Sequence, residues 1–205
     1  MTVSNLAGDT SSGRMLFSIP IIHTQTDMGQ LGRSVEKVKI SKYGREKVNR
    51  SARLVDELWG EIERTVESLP VSAGKMRVYQ DGLPVCGAET GIVSQLAEAG
   101  SRNHQLLLRL VERGAVLMGT ESPQLLLEEY QRAVEGFSQS QKTATRVRGT
   151  QADAHSLISM RDQYIAARIN TTLAPGETAI LFLGMLHAVE PYLDPDIRVM
   201  RPMRR

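Results

Sequence analysis

Four short apolar segments, each ending within a few residues of a His, Asp or Glu and set apart by helical patterning, constrain this chain more than any other feature. Met15–Ile22 runs into His23, and Lys75–Tyr79 into Gln80-Asp81-Gly82. Ala115–Met118 runs into Gly119-Thr120-Glu121, and Thr178–Leu183 into Gly184-Met185-Leu186-His187. Strands alternating with helices predict an α/β fold, a mainly parallel sheet with helices on both faces. In open sheets of this kind ligands sit beyond the carboxyl ends of the strands. Parallel strands here bring two imidazoles and two carboxylates to one cleft.

The segments between the strands carry helical signals. Val48, Ala52, Val55, Trp59, Ile62, Val66 and Leu69 recur at steps of four and three, and Pro70 ends the run. A helix of that length leaves part of its stripe available to a partner subunit, a homodimer being the alternative to packing wholly on the sheet. Ile92, Leu96 and Ala97 mark a second helix. Ser101 suits the N-cap of a third over Gln105–Arg113, with Gly114 as its C-terminal cap. Ser122-Pro123 opens a fourth that would bury Leu126, Tyr130, Val134 and Phe137. Ser138–Asp153 is polar and is either a loop over the strand ends or a helical continuation, and His155–Leu173 is helical again. A last strand, Ile197–Met200, follows the fourth too closely for a crossover helix, which predicts an antiparallel edge strand. Residues 1–14 read as a flexible tail and 15–205 as a single α/β domain.

The 205 residues are 41% hydrophobic and 23% charged, the balance of a globular protein with its own core. A net charge of +2 argues for neither nucleic acid nor an anionic membrane, and the basic groups at Lys142–Arg148 and Arg198–Arg205 lack interleaved aromatics. A single cysteine, Cys86, excludes an internal disulfide. The polar N-terminus lacks the apolar core of a secretory signal. The expectation is a cytoplasmic protein acting on a small-molecule or peptide substrate. Phosphate-loop, dinucleotide, paired-cysteine, His-Glu-x-x-His and Gly-x-Ser-x-Gly patterns are absent.

The candidate chemistry rests on His23, His187, Asp81 and Glu121 as metal ligands, with Glu121, Asp81 and Arg161 as catalytic groups. Imidazole is the commonest metal ligand and a general base near neutral pH. Asp-Gly is also a turn signal, and Glu121 also suits the positive end of the helix that follows. Arg161 and Arg168 share a helix face, where an arginine suits a carboxylate partner or an anionic substrate. Asp27, four residues after His23, is a further ligand, a support for the imidazole or a loop cap. A Cys86 nucleophile paired with His187 is a metal-free alternative.

The C-terminal third resembles the TraB/Tiki group of the erythromycin-esterase/ChaN-like superfamily. Arg161-Asp162-Gln163-Tyr164-Ile165-Ala166-Ala167-Arg168-Ile169 is similar to that group's Arg-Asn-x-x-Met-Ala-x-x-Ile helix, and Gly184-Met185-Leu186-His187 to its second Gly-x-x-His motif. Gly119-Thr120-Glu121 and Asp81-Gly82 resemble its acidic motifs. His23 stands at the first Gly-x-x-His, with Pro20 in place of the glycine, and Ala188-Val189-Glu190-Pro191 replaces the group's Leu-x-Gly. The resemblance implies the fold and the strand-end cleft, and activities that range over metal-dependent peptide hydrolysis, ester cleavage and haem binding. The expectation is therefore a metal-dependent hydrolase of peptide or ester bonds using a divalent ion (Mn, Fe, Co or Zn). The alternative is a non-catalytic module of the same fold that binds haem or a small anion, with Tyr79 and Met185 as its contacts.

Overall fold

The computed structural model describes residues 13–24, 26–27, 40–69, 75–139 and 147–203. In chain order these form β1 (Arg14–Ile21), α1 (Arg45–Ser68), β2 (Met76–Pro84), α2 (Glu89–Glu98), α3 (Arg102–Glu112) and β3 (Val116–Glu121). Then come α4 (Pro123–Gln139), α5 (Val147–Thr172), β4 (Thr178–Gly184), a 3-10 turn (Glu190–Tyr192) and β5 (Ile197–Met200). The five strands make one parallel sheet in the order β3-β2-β4-β1-β5.

The sheet is covered on both faces. Phe17, Ile19, Ile180 and Phe182 pack with Trp59, Ile62 and Val66 of α1 and with Leu106, Leu107 and Leu110 of α3. Their strand neighbours Leu16, Ala179 and Leu181 face the other way, onto Ile165, Ala166 and Ile169 of α5. Central β4 is buried on both sides, which is why it reads as an unbroken apolar run. Ser101 caps α3 through the His104 backbone N–H, and Gly114 closes it in a Schellman turn, with bonds from Ala115 to Leu110 and from Gly114 to Val111.

Four expectations change. β5 runs parallel to β1, not antiparallel. It pairs beyond β1 rather than beside β4, and residues 185–196, folded through the 3-10 turn, are long enough to return the chain. Arg14 belongs to β1 and not to a tail. Its buried guanidinium bonds Asp194, Asp196 and the carbonyls of Asn170 and Leu173, fastening the strand's start to the α5 end and the approach to β5. On α4, Tyr130 and Val134 are exposed, because that helix lays only one side on β2 and α5; the side chain of Phe137 lies outside the described residues. Residues 147–153, weighed as loop or helix, open α5, while 140–146 lie outside the described residues. Along α1 the apolar stripe is buried only from Trp59 onward, and Ala52 is exposed. Among the described residues no helix is long and apolar enough to cross a membrane.

Candidate metal and catalytic centre

β2 and β3 pair in register as far as Gln80 and Gly119, then shift so that Pro84 lies opposite Glu121. The shift is a bulge, and Asp81 sits in it. Gly82 follows at a φ of 77°, a conformation that side chains other than glycine's strain to adopt. The Asp81-Gly82 pair therefore does not end the strand as a turn. It bends the strand so that Asp81 is buried and aimed toward β4.

Four elements meet at Asp81. Its Oδ2 accepts the backbone N–H of Gly184 at 2.8 Å and lies 3.3 Å from Nε2 of His23. Its Oδ1 accepts Nη2 of Arg161 at 3.1 Å and lies 3.6 Å from Nε2 of His187. Gly184 has no room for a side chain, since a Cβ there would stand 2.7 Å from Asp81 Oδ2. The glycine of the Gly184-Met185-Leu186-His187 motif is thus required by the aspartate of another strand.

Glu121 ends β3 with no exposed surface. Arg161, on α5, donates Nη2 to Glu121 Oε1 at 2.6 Å and Nε to both carboxylate oxygens at 3.2 and 3.3 Å. Its Nη1 reaches Glu129 of α4 at 2.7 Å. His187 is held by a residue that the sequence reading did not assign. Asp162 Oδ1 accepts Nδ1–H of His187 at 2.6 Å, and Oδ2 accepts the Ala188 N–H at 3.0 Å. With Nδ1 committed as donor, Nε2 is turned toward Asp81. A carboxylate–imidazole pair of this kind sets the tautomer that a metal-binding histidine needs. The adjacent opposite charges Arg161-Asp162, between the apolar positions Leu157 and Ile165, were the available signal. Glu129 left none, because it is one half-exposed acid beside Glu128 on the same helix.

The electrostatics separate the two carboxylates. Burial opposes ionisation of Asp81, but the hydrogen bond from His23 and the nearby charge of His187, His23 and Arg161 outweigh it, so Asp81 is held well below the usual carboxylate range. Burial pushes the Glu121 carboxyl up. Arg161 pulls it down without cancelling burial, and neighbouring Asp81 adds to the rise. Burial works against a proton on His23 as well, yet the bond to Asp81 raises its pKa overall. The two neighbouring carboxyls are thus driven in opposite directions, Asp81 down and Glu121 up.

Asp81, Glu121 and His187 each present a donor atom, and the three atoms lie within 4.8 Å of one another. The group could hold a metal ion. The donors fit one: with Nδ1 spent on Asp162, Nε2 of His187 faces an Asp81 carboxylate oxygen at 3.6 Å, and a cation suits the space between. His23, expected as a fourth ligand, contacts Asp81 but lies outside this triad, over a third of its side chain exposed at the rim.

The other candidates go elsewhere. Arg168 donates to the Gly119 carbonyl and braces β3. The Tyr79 hydroxyl pairs with Thr172 at 2.7 Å beneath α5. Cys86 is exposed, its backbone N–H held by Glu89, with no described bond to His187. Asp27 is a loop cap. It accepts the Thr24 N–H at 2.6 Å and the Thr24 hydroxyl at 2.9 Å, and Ser101 donates to it. Since the serine's one proton goes to Asp27, the 2.6 Å contact between His104 Nδ1 and Ser101 Oγ has the imidazole as donor, and the cluster does not make a serine nucleophile. Burial resists ionisation of Asp27, but His104, 3.6 Å away, and the bonds from Ser101 and Thr24 lower its pKa from 3.8 to about 2. A depressed carboxylate contributes stability that is complete above its unfolded value and lost as pH falls through the folded one. Asp27→Asn is therefore expected to cost about 2 kcal/mol at neutral pH and to flatten the loss of stability that the native chain shows between about pH 4 and 2. Urea unfolding across that range checks both, and an equally steep acid limb in the variant would assign it to other groups.

No protein-family model, curated protein or solved structure matches the chain.

Proposed function

We propose that the chain is a metal-dependent hydrolase of ester or peptide bonds, with Asp81, Glu121 and His187 as the ligand set. The observation that carries this is the His187 imidazole, oriented by Asp162 so that Nε2 points at the Asp81–Glu121 pair. Two carboxylates and one imidazole suit manganese, iron, cobalt or zinc. A bound divalent ion polarises a carbonyl and lowers the pKa of water.

The chain's own residues supply the rest. Where the ion rests on Asp81 and His187, Glu121 is left free to take a proton from the attacking water and return it to the leaving group. Asp81 stays ionised and fixes the Gly184 N–H and His23. Arg161 remains charged beside both carboxylates and offers compensation for negative charge on the carbonyl oxygen. The resemblance of the α5 and β4 motifs to the TraB/Tiki group supports the fold and the strand-end cleft. One observation favours a second reading without metal: Arg161 Nη2 already bonds both Asp81 and Glu121, so a counter-charge is present. In that case Glu121 and His187 act as acid and base alone.

Elemental mass spectrometry of the purified chain and of His187→Ala decides. The expected result is close to one divalent ion per native chain and at least a tenfold weaker hold in the variant. Equal metal in both proteins overturns the ligand assignment. Hydrolysis that survives exhaustive chelation supports the second reading.

A further inference from the structure

The turn that carries His187 displays two large apolar side chains to solvent. Met185 is 68% exposed and Leu186 81%. The turn is closed by the His187 N–H on the Gly184 carbonyl at 3.1 Å. It is clamped at both ends, by Gly184 on Asp81 and by His187 on Asp162. Corner positions of turns normally carry Gly, Pro, Asn, Asp or Ser, which water solvates. Here they carry methionine and leucine, directly before His187, and most of each side chain is exposed. Among the described residues, the partly exposed side chains that bond the cluster, His23 and Glu129, are polar.

We propose that Met185 and Leu186 are specificity residues that receive an apolar group next to the scissile carbonyl, so that the substrate is an ester or amide of an apolar acyl chain or apolar residue. This rests on the hydrolase reading and names its substrate class. A two-residue lip is far smaller than the roughly 800 Å² per side of a stable protein interface, which favours a small apolar group over a protein partner. Burying several methylenes against the pair strengthens binding by tenfold or more. Methionine adapts to chains of differing shape.

The test compares the native chain with the double variant Met185→Ser/Leu186→Ser. Hydrolysis of p-nitrophenyl octanoate and acetate is measured for each, and binding of octylphosphonate and methylphosphonate is followed by calorimetry, which needs no turnover. The native chain is expected to favour octanoate over acetate in kcat/KM, and octylphosphonate over methylphosphonate in affinity, by at least tenfold. Both preferences should fall at least tenfold in the variant. Preferences of equal size in the two proteins, or none in the native chain, overturn the proposal. If neither ester is cleaved, hydrolysis of these esters fails while the phosphonate comparison still decides the role of the lip.

Discussion

Replacing Arg161 with methionine is expected to cost about 3–5 kcal/mol of folding stability at neutral pH, a large part of the roughly 5–15 kcal/mol typical of a domain. Methionine keeps much of the apolar stem and removes only the guanidinium, so the loss is electrostatic. The guanidinium is buried and bonds Asp81, Glu121 and Glu129 at once. Without it Asp81 and Glu121 face each other in a low-dielectric pocket that has lost its guanidinium. The loss should shrink on acidification, because protons then neutralise the carboxylates, and a saturating divalent ion should restore more stability to the variant than to the native chain. Urea unfolding at neutral and mildly acidic pH measures both. A loss under about 1 kcal/mol at neutral pH would show that another cation or a proton already balances the pair.

Glu121→Gln has the opposite signature. Turnover should fall by roughly 10²–10⁴, the usual contribution of a positioned acid–base group. Stability should hold, because burial raises the pKa of Glu121 above its ordinary 4.5. A raised group contributes stability that is present below the unfolded value and lost as pH rises through the folded one. Glutamine does not ionise, so the variant is spared that loss, and its amide oxygen still accepts from Arg161. Loss of activity with melting unchanged in acid and no worse, or improved, as pH rises above about 4.5 marks a residue kept for chemistry. A variant that melts much earlier would make Glu121 a structural partner of Arg161 instead. The two substitutions separate the roles within one cluster, with Arg161 holding it together and Glu121 working in it.

The α/β class and the chemistry at the strand ends were legible because both depend on local pattern. β4 is apolar throughout because it is covered on both faces, and helical stripes announce themselves at steps of three and four. His187, Asp81, Glu121 and Arg161 each stand at the end of such a pattern or interrupt one, and the fold gathers all four. Contacts across sequence were not legible. The direction of β5 depends on which edge it joins, a choice made by pairing with β1 and invisible in residues 185–196. That Asp81 lies in a bulge and not a turn follows from its pairing with β3. Asp162 orients His187 from another element, and Gly184 is a glycine because Asp81 of a different strand comes within 2.7 Å of where its Cβ would stand. Sequence alone determined which segments are strands and helices and which polar groups sit at their ends, since periodicity and burial are properties of single segments. Tertiary structure alone decided which of those groups touch and which way each carboxyl's pKa moves, since distance and dielectric are properties of the packed whole.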